Sequence, residues 1–415
     1  MSQLRFIHAA DLHLDTPFQG LKEVNEEIAT RLRDATFTAF DNLVRYTIRE
    51  KVDFLLVAGD VFEQSERSLR AQLYFRDGLA RLAREGINTY VVHGNHDPLD
   101  GWVSCIKFPE EVTIFPGDCI SSATYTKNGV PMARIHGISY PTMSVSDNFG
   151  RDFKRLGKEP FQVGLFHCNV GGDTGHEQYA PRTVEELRKC GLDYWALGHI
   201  HKRGIICSEQ PFIAYPGNLQ GRHIRETGPR GALLVETDGA QVTAHRFVEF
   251  QAVRWEEVKT DISDLNSVDE LLERIRDNLE NCREEAKGSS VVVRVHVVGR
   301  GSLHAEIARA LPDLLESLRE GQTGSDHFLW LERLVDMSRP DIDFRSRAEA
   351  EDFVGSVLRL GAELRKDPKQ LREWLSDLWD HRRAGRLLSD NSEDDLRALL
   401  NQAIECTAER LIEEE

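Results

Sequence analysis

The stretch Asn88-Thr89-Tyr90-Val91-Val92-His93-Gly94-Asn95-His96-Asp97 decides the fold. Its first half is an apolar run that reads as a buried strand, and its second half is a polar turn. Gly94 is expected to let the backbone turn sharply at the strand end. Asn95 offers a neutral carbonyl oxygen to a cation, and His96 an imidazole that can carry a proton near neutral pH. Asp97 offers a carboxylate that either orients an imidazole or caps the turn. Alone, this could be an ordinary turn closed by Asn and Asp. What gives it weight is that the same arrangement, an apolar strand ending in a polar cluster, recurs along the chain.

Working outward, residues 4–9 form a short apolar strand that runs into Asp11-Leu12-His13. Residues 26–50 carry helical periodicity, and 54–58 are a fully apolar strand ending in Gly59-Asp60. Residues 68–85 are again helical and lead to the strand before His93. This order implies parallel strands covered on both faces, with ligands bound at their carboxyl ends. From residue 112 the pattern turns β-rich. Strands at 120–126 and 130–138 flank the hairpin signal Asn128-Gly129. Strands at 161–168 and 194–198 end in His167 and in His199-Ile200-His201, and further strands are expected at 205–215, 231–236 and 242–250. A second sheet packed on the first follows: an α/β fold with a four-layer αββα sandwich over residues 1–250. Residues 251–340 read as a small α/β capping domain and 341–415 as a helical C-terminal region, with helices at 348–366, 368–380 and 392–413.

The formal net charge of the 415-residue chain is −17, unevenly spread. Residues 1–250 carry 28 Lys and Arg against 32 Asp and Glu, and residues 251–415 carry 24 against 37. A generally basic, nucleic-acid-coating surface is excluded, although a local groove is not, because phosphate contacts act within a Debye length of ~10 Å. The seven cysteines are scattered without a Cys-x-x-Cys pair, which fits reduced thiols in the cytoplasm. No apolar leader is expected, and no run approaches the ~18 apolar residues of a membrane span.

The strand ends supply Asp11, His13, Asp60, Asn95, His167, His199 and His201, with His96 close by. Asp, His and Asn suit manganese, iron or zinc. In Asp-x-His and His-x-His, extended backbone would point both donors one way. Seven donors are too many for one ion, whereas two ions sharing a carboxylate use them all; such pairs, ~3.5–4 Å apart, clamp displacement at phosphorus. Isolated histidines such as His8, His136, His245 and His296 read as structural.

Asp11-x-His13, Gly59-Asp60, Gly94-Asn95-His96-Asp97, His167 and Gly198-His199-x-His201 together resemble the calcineurin-like metallophosphoesterase superfamily. Within it the chain resembles the SbcD-type DNA repair nucleases and, through Asp11-Leu12-His13-Leu14-Asp15-Thr16-Pro17-Phe18, Gly59-Asp60-Val61-Phe62 and Tyr215-Pro216-Gly217-Asn218-Leu219-Gln220-Gly221-Arg222-His223, the YhaO-like branch. The resemblance implies a first metal on Asp11, His13 and His201 and a second on Asn95, His167 and His199. Asp60 would bridge them, and His96 would be the acid at the leaving oxygen. It implies two divalent ions, usually manganese, with iron or zinc as alternatives, in a metal-dependent DNA exonuclease or endonuclease subunit of DNA repair. The other readings are a small-molecule phosphodiesterase or phosphatase, and a non-catalytic subunit that binds DNA ends.

Arg222, His223 and Arg225 sit in a Gly-containing loop expected to touch DNA phosphates. Asp15 and residues 173–177 lie near the same edge without an assigned role. The implied partners are DNA and an SMC-type coiled-coil ATPase docked on the C-terminal helices around Phe353, Leu358, Leu360, Trp374 and Trp379. A homodimer is the further association considered; a membrane is not expected.

Overall fold

Two-residue alternation along the strands explains the layering. The structure, a computed structural model, describes residues 3–16, 18, 26–63, 68–101, 106–145, 149–171, 180–320, 327–366, 373, 376–377, 381 and 392–413. Strands β1 (Leu4–Ala9), β2 (Phe54–Ala58), β3 (Asn88–Val92) and β4 (Val112–Ile114) run parallel in one sheet. Strands β5 (Ser121–Lys127), β6 (Val130–Gly137), β7 (Phe161–His167), β8 (Tyr194–Gly198), β9 (Gly204–Cys207) and β10 (Phe212–Tyr215) make a second, in the order β5-β6-β7-β8-β10-β9. Strands β11 (Gly231–Thr237) and β12 (Val242–Glu249) return to the first sheet, completing the order β12-β11-β1-β2-β3-β4.

On β1 and β2 the residues Ile7, Ala9, Leu55 and Val57 face one way. They pack with Phe40, Leu43 and Val44 of α1 (Glu26–Glu50) and Phe75, Leu79 and Leu82 of α2 (Leu69–Arg84). Their neighbours Leu4, Phe6, Phe54 and Leu56 face the other way, against Phe161, Val163, Leu165, Tyr194 and Phe212 of the second sheet. The outer face of that sheet, with Phe166, Trp195 and Leu197, is covered by Phe153 and by Leu187 of α3 (Val184–Lys189). The result is the expected four layers, helix, sheet, sheet, helix. Such buried aromatics are worth ~3–5 kcal/mol each against truncation to Ala.

Three details differ from the sequence reading. Residues 205–215 are two antiparallel strands, β9 and β10, rather than one, because the polar Ser208-Glu209-Gln210-Pro211 breaks the run and Pro211 has no N–H to give a ladder. The short helix α3, with a capping box between Thr183 and Glu186, was not expected. Residues 344–364 form two helices, α6 (Phe344–Arg347) and α7 (Phe353–Leu364), the second capped by Asp352.

A third sheet holds β13 (Val253–Asp261), β14 (Ser290–Val298) and β15 (Leu329–Asp336), accompanied by α4 (Val268–Glu285) and α5 (His304–Arg319). By contacts the chain forms two compact units: Met1–Val258, Arg276–Val295 and Glu316–Arg333, and Lys259–Ile275, His296–Leu315 and Leu334–Glu415. Within the first, Ile28, Leu32 and Ala35 of α1 pack with Val253, Trp255, Val292, Phe328 and Trp330. Within the second, α7 and α8 (Glu393–Glu413) meet through Val354, Leu358, Ile404 and Ala408. Phe353 and Leu360 on α7 are exposed, whereas Trp374 and Trp379 lie outside the described residues. Among the described residues no helix is long and apolar enough to cross a membrane.

Candidate metal centre

The polar clusters meet at the carboxyl ends of β1, β2, β3, β7 and β8, all within the first unit. Asp11, His13, Asp60 and His201 bring one ligand atom each within 4.8 Å of one another. Nε2 of His13 is 3.2 Å from Nε2 of His201. On the other side of Asp60, Nε2 of His167 lies 3.3 Å from Asp60 Oδ2 and 3.1 Å from Oδ1 of Asn95, and the His199 ring is 5.3 Å from that of His167. Asp60 Oδ2 is also 3.9 Å from His13 Nε2, so a single oxygen faces both groups. That oxygen is buried and has no hydrogen-bond donor among the described residues. A buried carboxylate oxygen that meets no donor in good hydrogen-bond geometry, surrounded by imidazole nitrogens and an amide oxygen, is the chemistry of a cation site. The donor set therefore fits two divalent cations sharing Asp60.

The backbone reaches this arrangement by a route other than extended alternation. Asp11, His13, Asp60 and His199 have left-handed φ values of 51°, 43°, 50° and 100°. Such conformations are costly for non-glycine residues and concentrate at functional sites. They are held by pairing of two loops, with Asp11 N donating to Gly59 O at 3.0 Å and His13 N to Asp60 O at 3.0 Å. Gly94, in contrast, is needed for space and not for a left-handed turn. A Cβ there would lie 2.2 Å from Asp60 Oδ1 and 2.8 Å from the His167 ring.

His167, His201, His13 and His96 each have a polar group behind the ring. His167 Nδ1 donates to the carbonyl of Ala58 at 2.9 Å, which directs Nε2 into the site. His201 Nδ1 is 2.7 Å from Glu226 Oε1, and His13 Nδ1 is 3.2 Å from Glu63 Oε2. The other oxygen of Glu63 is 2.5 Å from His96 Nδ1. Glu63 and Glu226 were not singled out from the sequence. Their only signal is an acid placed three residues after Asp60 and four after Arg222, and which ring each serves depends on the fold. Asp97 closes the turn and leaves His96 to Glu63: it accepts from Gly94 N at 2.7 Å and Val61 N at 2.8 Å, and is 2.9 Å from His93 Nδ1.

Charges follow from these neighbours. Burial works against the Asp60 carboxylate, but His167, His13 and His96 outweigh it and hold the group well below the usual range. Burial pushes the Asp11 carboxyl up. Burial also opposes charge on His96, yet the hydrogen bond to Glu63 and the nearby Asp60 raise that ring above its ordinary value. His96, with 42% of its side chain exposed, is the most open histidine of the group.

The loop after β10, expected to touch DNA phosphates, is open to solvent only in part. Arg222 is 8% exposed and lies against Glu63 and Glu226, while His223 is half-buried beside Glu226. Arg225 is exposed. Asp15 accepts from Ser68 Oγ, the residue that caps α2, and lies 3.8 Å from Arg70, so it secures a helix start. Residues 173–177 lie outside the described residues. His8 is a buried structural histidine between the Tyr194 hydroxyl and the Leu197 carbonyl.

Comparison with known proteins agrees with this site. Residues 4–203 match the calcineurin-like phosphoesterase family, and residues 255–339 match the middle domain of the metallophosphoesterase YhaO. The chain is 38% identical over 338 residues to the uncharacterized metallophosphoesterase YhaO of Bacillus subtilis (strain 168), covering 81% of this chain and 82% of that one. It is 27% identical over 300 residues to the DNA double-strand break repair protein Mre11 of Methanopyrus kandleri, covering 66% and 62% of the two chains. It is 30% identical over 236 residues to the protein of that name from Methanococcus maripaludis, covering 54% and 59%. A dimetal ligand set at the ends of a four-layer sandwich and the extended match to YhaO lead to one conclusion: the chain belongs to the calcineurin-like metallophosphoesterases, in their YhaO branch.

Proposed function

We propose that this chain is a two-metal phosphodiesterase acting on DNA. The observation that carries the phosphodiesterase reading is Asp60 Oδ2, placed 3.9 Å from His13 Nε2 and 3.3 Å from His167 Nε2 so that one oxygen serves two ligand groups. Asp11, His13 and His201 would complete one cation's shell, and Asn95, His167 and His199 the other's. Carboxylate, imidazole and amide oxygen without thiolate suit manganese, with iron and zinc as the alternatives. When bound, the pair supplies Lewis-acid stabilisation of phosphoryl charge and lowers the pKa of water. Glu63 accepts from Nδ1–H of His96 and, with Asp60, favours the charged ring, in which Nε2 holds the second proton and delivers it to the leaving oxygen.

The DNA substrate is supported by the Mre11 relatives, whose names describe double-strand break repair. An SMC-type ATPase partner and a cytoplasmic setting belong to the same reading and rest on the sequence resemblance. The test is hydrolysis of bis(p-nitrophenyl) phosphate with manganese, followed by linear duplex, single-stranded DNA and cyclic nucleotides. Wild type is expected to cleave the chromogenic diester and DNA, and Asp60→Asn neither. Turnover by Asp60→Asn would overturn the two-metal reading. Hydrolysis of nucleotides without DNA would replace the nuclease reading by a small-molecule phosphodiesterase.

A further inference from the structure

We propose that Arg222 is a positioning residue that joins the supports of the first cation's two histidines and of the acid into one unit, leaving the second cation's support independent. The inference rests on the two-metal reading above. Glu63 engages His96 Nδ1 and lies 3.2 Å from His13 Nδ1, and Glu226 engages His201 Nδ1. Arg222 stands between these carboxylates: Nη1 donates to Glu63 Oε2 at 3.4 Å, and Nη2 is 3.7 Å from Glu226 Oε1. Its backbone N–H also donates to Glu226 Oε2 at 2.8 Å. His167, by contrast, is braced by the main-chain carbonyl of Ala58, with no carboxylate behind its Nδ1 among the described residues.

The physical basis is the shape of the guanidinium. It is planar and rigid, so it can address two carboxylates at once, whereas an ammonium is a point charge that must choose one. Arg222 is nine-tenths buried, and a buried cation is stable only while its anionic partners stay close. A shift of Glu226 therefore moves the plane toward or away from Glu63, and with it the rings of His13 and His96. Neither contact is short, so Arg222 acts as a tie between supports. It is not a strong pair with either carboxylate.

The experiment uses full-length, metal-stripped protein titrated with manganese by calorimetry, with thermal unfolding as the fold control. Wild type is expected to bind two equivalents. In Arg222→Met one equivalent should weaken 10–100-fold, the range for lost support behind a ligand, while the other stays within about twofold. Arg222→Lys should keep the wild-type unfolding temperature, since charge is retained, and still show the selective weakening. The variants Glu63→Gln and Glu226→Gln should be non-additive on that equivalent in the wild-type background and additive in the Arg222→Met background. Two unchanged affinities in Arg222→Lys, equal weakening of both equivalents in a folded variant, or additivity in the wild-type background would each overturn the proposal. Because the readout is metal binding, a wild type that binds two ions but cleaves no phosphodiester would sink the functional reading and leave this one standing.

Discussion

Oε1 of Glu63 lies 2.5 Å from Nδ1 of His96. The same carboxylate reaches His13 through its other oxygen, 3.2 Å away. One side chain thus stands behind both the ring proposed to face a cation and the ring proposed to face the leaving group. Burial raises the Glu63 carboxyl, but its bonds to His13 and His96 prevail and keep it well below the usual carboxylate range. It stays anionic at any working pH.

His96→Ala is expected to retain both metal equivalents and lose about 10²–10⁴ in kcat, the usual contribution of a placed acid. Glu63→Gln should lower kcat with a smaller loss, because the ring remains but its charged partner is gone. Metal analysis by plasma mass spectrometry beside diester hydrolysis separates the two effects. Loss of metal in His96→Ala would show that this ring is a ligand.

Gly94→Ala should cost metal binding at both positions. The new Cβ would sit 2.2 Å from Asp60 Oδ1, so the bridging carboxylate must move. Overpacking of this kind costs ~1–3 kcal/mol of stability as well. Calorimetric manganese titration and urea denaturation read both effects. Full metal content in a folded Gly94→Ala protein would contradict the geometry.

Metal affinity should rise with pH. In the metal-free chain, burial opposes charge on His167, but Asp60 raises its pKa to about 9. A cation needs the Nε2 lone pair, so the proton must leave first. Below about pH 9 each unit of acidification should therefore weaken binding at that position up to tenfold, with about one proton released from His167 as that position fills at neutral pH. Calorimetry in two buffers of different ionisation enthalpy measures the release. An affinity that is flat from pH 6 to 9 would refute the assignment.

His8 should make the fold acid-sensitive. Burial lowers its pKa from 6.5 to about 3, against the raising effect of the hydrogen bond the ring donates to the Leu197 carbonyl. The unfolded chain binds the proton first, so this contribution is complete above pH 6.5 and is lost as pH falls toward about 3. At pH 4.5 the loss amounts to about 3 kcal/mol. Urea midpoints across this range should fall more steeply for wild type than for His8→Gln. Parallel slopes would show that His8 is protonated in the folded state.

Legibility differed between layers of the molecule. The strand, helix and hairpin signals lie within a few neighbours of each other in sequence. Asn128 and Gly129, for example, both take the left-handed backbone that an Asn-Gly hairpin turn needs. The meeting of the seven candidate metal donors was legible for a related reason: each follows or ends a strand, and parallel strands deliver their carboxyl ends to one edge. Gly94 was identified but its purpose was not, because the close approach of Asp60 is made by a residue 34 positions away.

Sequence by itself determined the donor chemistry, the αββα layering and the family, since residue type and periodicity are local. Only the tertiary structure decided which group stands behind each ring. Arg222 read as a loop residue touching DNA phosphates, and the fold buries it between Glu63 and Glu226. Those contacts join residues 159 positions apart at one end and 4 apart at the other. Side-chain partners across such separations are set by how two sheets stack and how their loops pack, and no spacing along the chain records them.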